Sequence, residues 1–131
     1  MKKTPPSMDA WLREAKEHPS APRIGMYLTH NSIVRETAKA QVRNGEENTP
    51  AVVGMEFAYD AKKVEEVIAD TYRMDGIYYL KVWLNEGVLN VGDDIMYVLI
   101  GGDIRPRVVD ALQYLVGRIK NECVTETEKT E

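Results

Sequence analysis

The sequence predicts an α+β domain in which helices pack on one side of a mainly antiparallel sheet. Three observations carry this reading. Strand-like and helix-like segments follow one another in the order β-β-α-β-β-α, after a short leading helix. The run Ile95 to Ile100 is apolar nearly throughout, as a central buried strand requires. The last long segment instead repeats its apolar residues at helical spacing, through Val108, Val109, Leu112, Leu115, Val116 and Ile119.

Residues 1 to 6 read as a frayed end. Ser7 can cap a short helix whose Met8, Trp11, Leu12 and Ala15 follow i, i+3, i+4, i+7, and Pro19 and Pro22 stop it. No later stretch repeats this helix, so residues 1–22 are taken as an appended element covering a sheet edge or a partner, and 23–131 as the domain proper. Ile24 to Val34 is an extended segment. Residues 36–50 are polar, contain Asn44-Gly45 and Pro50, and predict a long loop or loose hairpin of the kind that often serves binding. Val52 to Tyr59 is a second strand, and Asp60 caps a helix bearing Val64, Val67, Ile68 and Tyr72 on one face, with Gly76 as its stop. Ile77 to Leu84 is a third strand. Asn85-Glu86-Gly87 and Val91-Gly92-Asp93-Asp94 are turn signals with room for a very short strand between them. After Gly101-Gly102-Asp103 the last helix runs from about 104 to 122, and the acidic tail VTETEKTE has little to bury.

Composition narrows the function. The 131 residues suit one domain, and 17 Lys and Arg against 21 Asp and Glu leave a net charge of −4. Such a balance disfavours a broad nucleic-acid interface, though local basic pockets are compatible with it. A single cysteine, Cys123, excludes an internal disulfide and suits a reducing compartment. No run approaches a membrane span, and the Met1-Lys2-Lys3 start lacks a secretory apolar stretch, so a cytoplasmic location is expected. With no Cys/His metal spacing, G-x-S-x-G or phosphate-binding loop, neither a metal nor a resident cofactor is expected.

Cationic side chains are the chemical candidates. Arg105 falls within the azimuth of the last helix's apolar stripe, at a helix start where free N–H groups also favour an anion. It meets an anionic ligand there, pairs with a carboxylate such as Asp103, or snorkels to solvent. Lys120 borders the same stripe: solvated it is inert, walled in it becomes a nucleophile or general base. Arg35 ends the first strand at the mouth of the long loop, and Arg43 lies within that loop. His18 reads as solvated, and Cys123 as a core or edge thiol.

These residues occur in a telling order. Ser32-Ile33-Val34-Arg35 ends a strand; Gly87-Val88-Leu89-Asn90-Val91-Gly92-Asp93-Asp94 precedes the central strand; Asp103-Ile104-Arg105 opens the last helix and Arg118-Ile119-Lys120 closes it. Over roughly residues 24 to 127 the set resembles the large, catalytic subunit of molybdopterin synthase. That resemblance implies an α/β-hammerhead fold and a homodimer. It also implies a small ubiquitin-like sulfur-carrier subunit whose C-terminal thiocarboxylate donates sulfur to cyclic pyranopterin monophosphate. The family's strand-end arginine falls on Arg35, its helix-start arginine on Arg105 and its first active-site lysine on Lys120; an alternative register puts Arg43 in place of Arg35.

The sequence departs from the family at several points. Ile104 stands where the family has histidine, and Thr127 where it has a second lysine, with Lys129 two positions on. Ser32 replaces a glycine, and Val124-Thr125-Glu126-Thr127 replaces the usual Pro-x-Trp-Lys-Lys ending. The departures allow a second reading, a non-catalytic pterin- or carrier-binding homologue. Arg105 and Lys120 are also about 22 Å apart on a straight helix at ~1.5 Å per residue. A single small ligand reaches both only if the helix start comes from a second subunit.

Overall fold

Two three-stranded antiparallel sheets, rather than one, form the frame in a computed structural model that describes residues 1–39, 43, 45 and 50–131. The first sheet has the order β1-β5-β3, from β1 (Met26–Ile33), β3 (Ile77–Leu84) and β5 (Asp94–Gly102). The second has the order β4-β2-β6, from β2 (Val52–Tyr59), β4 (Gly87–Asn90) and β6 (Val124–Thr130). The helices are α1 (Met8–Glu17), α2 (Ala61–Tyr72) and α3 (Arg105–Arg118). The fold is α+β, with α2 and α3 packed together on one side of the first sheet, as the sequence predicts.

Side-chain alternation explains the layering. Leu80, Leu84, Met96, Val98 and Ile100 point from the first sheet into the main core, where they meet Val67 of α2, Val108, Ala111 and Leu115 of α3, and Met55, Phe57 and Leu89 of the second sheet. Tyr79, Trp83, Tyr97 and Leu99 point the other way, and α1 covers them with Trp11 and Ala15. The leading helix thus seals a sheet face, not an edge. Its Ser7 cap accepts from the Ala10 N–H at 3.2 Å, and the Asp60 carboxylate caps α2 by accepting from Lys62 and Lys63 N–H.

Three expectations change. The acidic tail is not idle: Val124–Thr130 pairs with the whole of β2, from Tyr59↔Val124 to Val52↔Thr130. Its half-buried Val124, Glu126 and Glu128 alternate with exposed Thr125, Thr127 and Lys129, a period-two pattern that charge obscured. Residues 1 to 6 are not simply frayed, because the Lys3 N–H donates to Asn85 Oδ1 at 2.7 Å and its ammonium donates to the Tyr59 hydroxyl at 2.8 Å. Gly101 and Gly102, expected to follow the strand Ile95 to Ile100, are the last two residues of β5. A side chain at Gly102 would lie 2.6 Å from Val108 Cγ2 and 2.7 Å from the Gly76 carbonyl oxygen, so glycine is what lets α3 start against the sheet. The loop or hairpin expected over 36–50 falls largely outside the described residues.

Candidate functional site

The two sheets meet near the end of β1, and there a recess of about 160 Å³ opens. Its floor is apolar: Met55 of β2 and Ile95 of β5 are buried, and Ser32 and Ile33 form one rim at a bulge in β1. Its walls are charged. Arg35, Lys39 and Arg43 come from the segment after β1, Lys120 from the end of α3, and Glu126 and Glu128 from β6. Four cations and two carboxylates around so small a space leave a surplus of positive charge, with hydrogen-bond acceptors along one side.

Turn residues far along the chain hold the strand end that carries Arg35. The Val34 N–H donates to the Asp93 carbonyl at 3.0 Å, and the Gly92 N–H donates back to the Val34 carbonyl at 2.8 Å. Gly92 does so at φ +91°, where a side chain would be strained. Asp93 fixes its own turn by accepting from the Asn90 N–H at 2.8 Å, a bond that, with Lys2 beside it, holds its carboxyl below the usual range. Asn85 is buried and bonded through both ends of its amide: its nitrogen donates to the Asp94 carbonyl, while its oxygen accepts from Lys3 and Glu86 N–H. The Asn85-Glu86-Gly87 and Val91-to-Asp94 motifs are therefore supports of the site. Arg35 itself is exposed and turns its Nε to the Thr37 carbonyl at 3.0 Å.

A change of helix type places Lys120. At Ile119 the last helix widens into a single π turn, Ile119–Cys123, so the expected helix to 122 is interrupted. Such turns recur at functional sites because they redirect side chains. Ile119 and Cys123 are buried by it, and Lys120 is left half-buried against the recess. Its Nζ lies 3.2 Å from Glu126 Oε1, with side-chain exposures of 26% and 15%. His30 of β1, outside the recess lining, is held below its ordinary value of 6.5 by burial and then by the charge of Lys120. Burial pushes the Cys123 thiol up, which favours the protonated, unreactive form.

Arg105 is elsewhere. It is exposed at the first turn of α3, beside a separate cleft formed with Gly25, Met26, Asp103, Ile104 and Pro106. The core-facing direction expected from its azimuth does not hold, because the buried arc of the helix runs through Val108, Ala111, Leu115 and Ile119, centred about 75° away from Arg105 at 100° per residue. Asp103 pairs with Arg107 at 2.8 Å, not with Arg105. Ile104, where the family has histidine, is 52% exposed. Of the candidates, Arg35, Arg43 and Lys120 are thus gathered at one recess, and Arg105 is set apart at the opposite end of α3.

Sequence reading missed Lys39, Glu126 and Glu128. The alternation along β6 would have put both glutamates on one face, had the tail been read as a strand. Thr127 and Lys129 are exposed on the other face, so neither lines the recess among the described residues. Likewise no cluster of metal ligands is present among the described residues.

Comparison with known proteins places this geometry. The structure resembles molybdopterin synthase from Staphylococcus aureus, at 17% identity and a TM-score of 0.68 over 83% of this chain and 77% of the other. It resembles the molybdopterin biosynthesis MoaE protein from Burkholderia ambifaria MC40-6, at 19% identity and a TM-score of 0.73 over 98% and 80%. A third likeness is to the complex of subunits 1 and 2 of molybdopterin-converting factor from Helicobacter pylori 26695, at 15% identity and a TM-score of 0.66 over 96% and 80%. These identities are low and speak for the fold alone. A search of curated proteins finds no match. The family model for MoaE protein, however, matches residues 1–122, a span that includes the leading helix and all of α3. The chain belongs to the MoaE protein family.

Proposed function

We propose that this chain works in molybdenum cofactor biosynthesis as the large subunit of a molybdopterin synthase. It would transfer sulfur from the thiocarboxylate of a small ubiquitin-like carrier to cyclic pyranopterin monophosphate. One observation carries the reading: Arg35 and Lys120, distant in sequence, line the same small recess. Family membership and the two-subunit Helicobacter complex support it.

Arg35 and Arg43 bind the anionic groups of the pterin by charge-assisted hydrogen bonds. Lys120 acts at the thiocarboxyl carbon as general acid/base or transient nucleophile, on a floor of Met55 and Ile95 that limits water. Arg105 serves the recess of a second copy in a homodimer, since its own chain keeps it at the far end of α3. No helix among the described residues is long and apolar enough to cross a membrane, and a cytoplasmic enzyme fits the reducing conditions a thiocarboxylate needs. A reconstituted assay with thiocarboxylated carrier and pterin precursor tests the proposal. Turnover that vanishes in Lys120→Ala supports it, and turnover indifferent to that change removes the lysine from the mechanism.

A second reading is favoured by β6. Thr127 is exposed where a second lysine is expected, and Lys120 is already paired with Glu126. A homologue that binds pterin or carrier without making product would show heat of binding in calorimetry and no turnover in the same assay.

A further inference from the structure

We propose that Glu126 is a positioning residue, the group that holds the Lys120 ammonium against the recess. The inference rests on the reading of Lys120 as the transfer residue and adds how it is aimed.

Lysine has four rotatable side-chain bonds, and one on a π turn at the surface would sample many rotamers. Here several groups bear on it. Arg35, Lys39 and Arg43 share its recess and repel its charge. His30 lies close enough for the Lys120 charge to depress its titration. The nearest attraction is the Glu126 carboxylate at 3.2 Å, less exposed than the lysine it holds. Glu128, two positions along the same face of β6, accepts from the Lys39 backbone N–H at 3.0 Å, so its Oε2 is already committed to the loop. β6 thus meets the two approaches to the recess with separate carboxylates. An open surface pair contributes little, because water competes and side-chain entropy opposes it. This pair is half-shielded, and β6 is hydrogen-bonded to β2 along its length, so the carboxylate is presented by rigid backbone. Without Glu126, repulsion from the loop cations would drive Lys120 outward.

Because His30 feels Lys120, its titration reports where the ammonium sits, with no need of turnover. In Glu126→Gln, NMR titration is expected to show the His30 pKa rising toward its ordinary value as Lys120 moves away. An unchanged or falling His30 pKa overturns the inference, since loss of the carboxylate charge alone would lower it. Glu126→Asp, which keeps the charge on a shorter stem, should restore part of the wild-type value and guards against a folding defect in the glutamine variant. In the reconstituted assay Glu126→Gln should lower kcat by roughly ten- to a hundredfold with little change in KM, the scale of a misplaced catalytic group. In a Lys120→Ala background the same substitution should cost nothing further. A His30 shift in a protein without turnover upholds the positioning while refuting the transfer reading. A fixed His30 in an active enzyme does the reverse.

Discussion

Arg105 and Lys120 stand at opposite ends of one helical segment, each beside its own opening: Arg105 at the cleft with Gly25 and Met26, Lys120 at the recess with Arg35. The segment consists of the α-helix Arg105–Arg118 and the π turn Ile119–Cys123, and α3 packs on all three strands of the first sheet. The two cations of one copy therefore cannot meet on a small ligand. An antiparallel arrangement of two copies would bring the start of one helix to the end of the other.

Arg35 directly follows Val34, whose backbone is hydrogen-bonded to the Gly92–Asp93 turn. On the proposed function, truncating it removes a charge-assisted contact of about 1.5 kcal/mol or more, so Arg35→Ala should raise the KM for the proposed pterin substrate roughly tenfold. Initial-rate kinetics against substrate concentration check this; an unaltered KM would show that the ligand's anionic end lies elsewhere.

His30 makes stability depend on pH. Burial holds it neutral in the folded chain, below its ordinary value of 6.5, so the unfolded chain binds a proton first as the pH drops. Its contribution is fully present above pH 6.5 and is lost as the pH falls through the lowered native value. Denaturation midpoints measured downward from neutral pH should decline, and more shallowly in His30→Gln. Lys120→Met should also raise the His30 pKa, since the lysine charge is the second cause of the shift.

Two glycines, one at the end of β5 under the start of α3 and one in the last turn of α3, should respond in opposite senses. Gly102→Ala drives a methyl into Val108 and the Gly76 carbonyl, and should cost roughly 1–3 kcal/mol. Gly117 has open space around its missing Cβ in the last turn of the helix, so Gly117→Ala should gain about 0.5–1 kcal/mol. Chemical denaturation of the pair, read together, tests whether the close approach of helix and sheet is the reason for Gly102.

Trp11 is buried against the sheet, edge-on to Tyr97 at 6.5 Å between centroids, with Lys81 over its ring. Trp11→Ala should destabilise by about 3–5 kcal/mol, the usual cost of emptying such a site. The recess lies away from α1, so calorimetric affinity for the pterin should be retained at temperatures where the variant is folded. A weakened affinity would tie the leading helix to the site.

Much of this fold is legible because its signals are local. Asp60 does cap the second helix, and Val52–Tyr59 and Ile77–Leu84 are strands over those spans. The last strand was not legible, since Glu126, Glu128 and Lys129 disguise its alternation and its pairing with β2 is a long-range fact. Missing it hid Glu126 and Glu128, and with them the carboxylate side of the recess. Arg105 shows a further limit: the apolar stripe read from Val109, Leu112 and Val116 includes its azimuth, whereas the face actually buried runs through Val108, Ala111 and Leu115 and leaves it exposed. The turn motifs at Asn85 and Gly92 were visible in the sequence, yet their hydrogen bonds to residues 3 and 34 appear only in the folded chain.

Whether the recess proposed as the catalytic site belongs to two copies is tested most directly by mixing them. Arg105→Ala chains and Lys120→Ala chains, each inactive alone, are combined into heterodimers and assayed for sulfur transfer. Restored turnover, from the single intact recess each heterodimer would contain, is the predicted result. Heterodimers as inactive as either parent, or a wild-type chain that is monomeric while active, would contradict a recess completed across a two-fold axis.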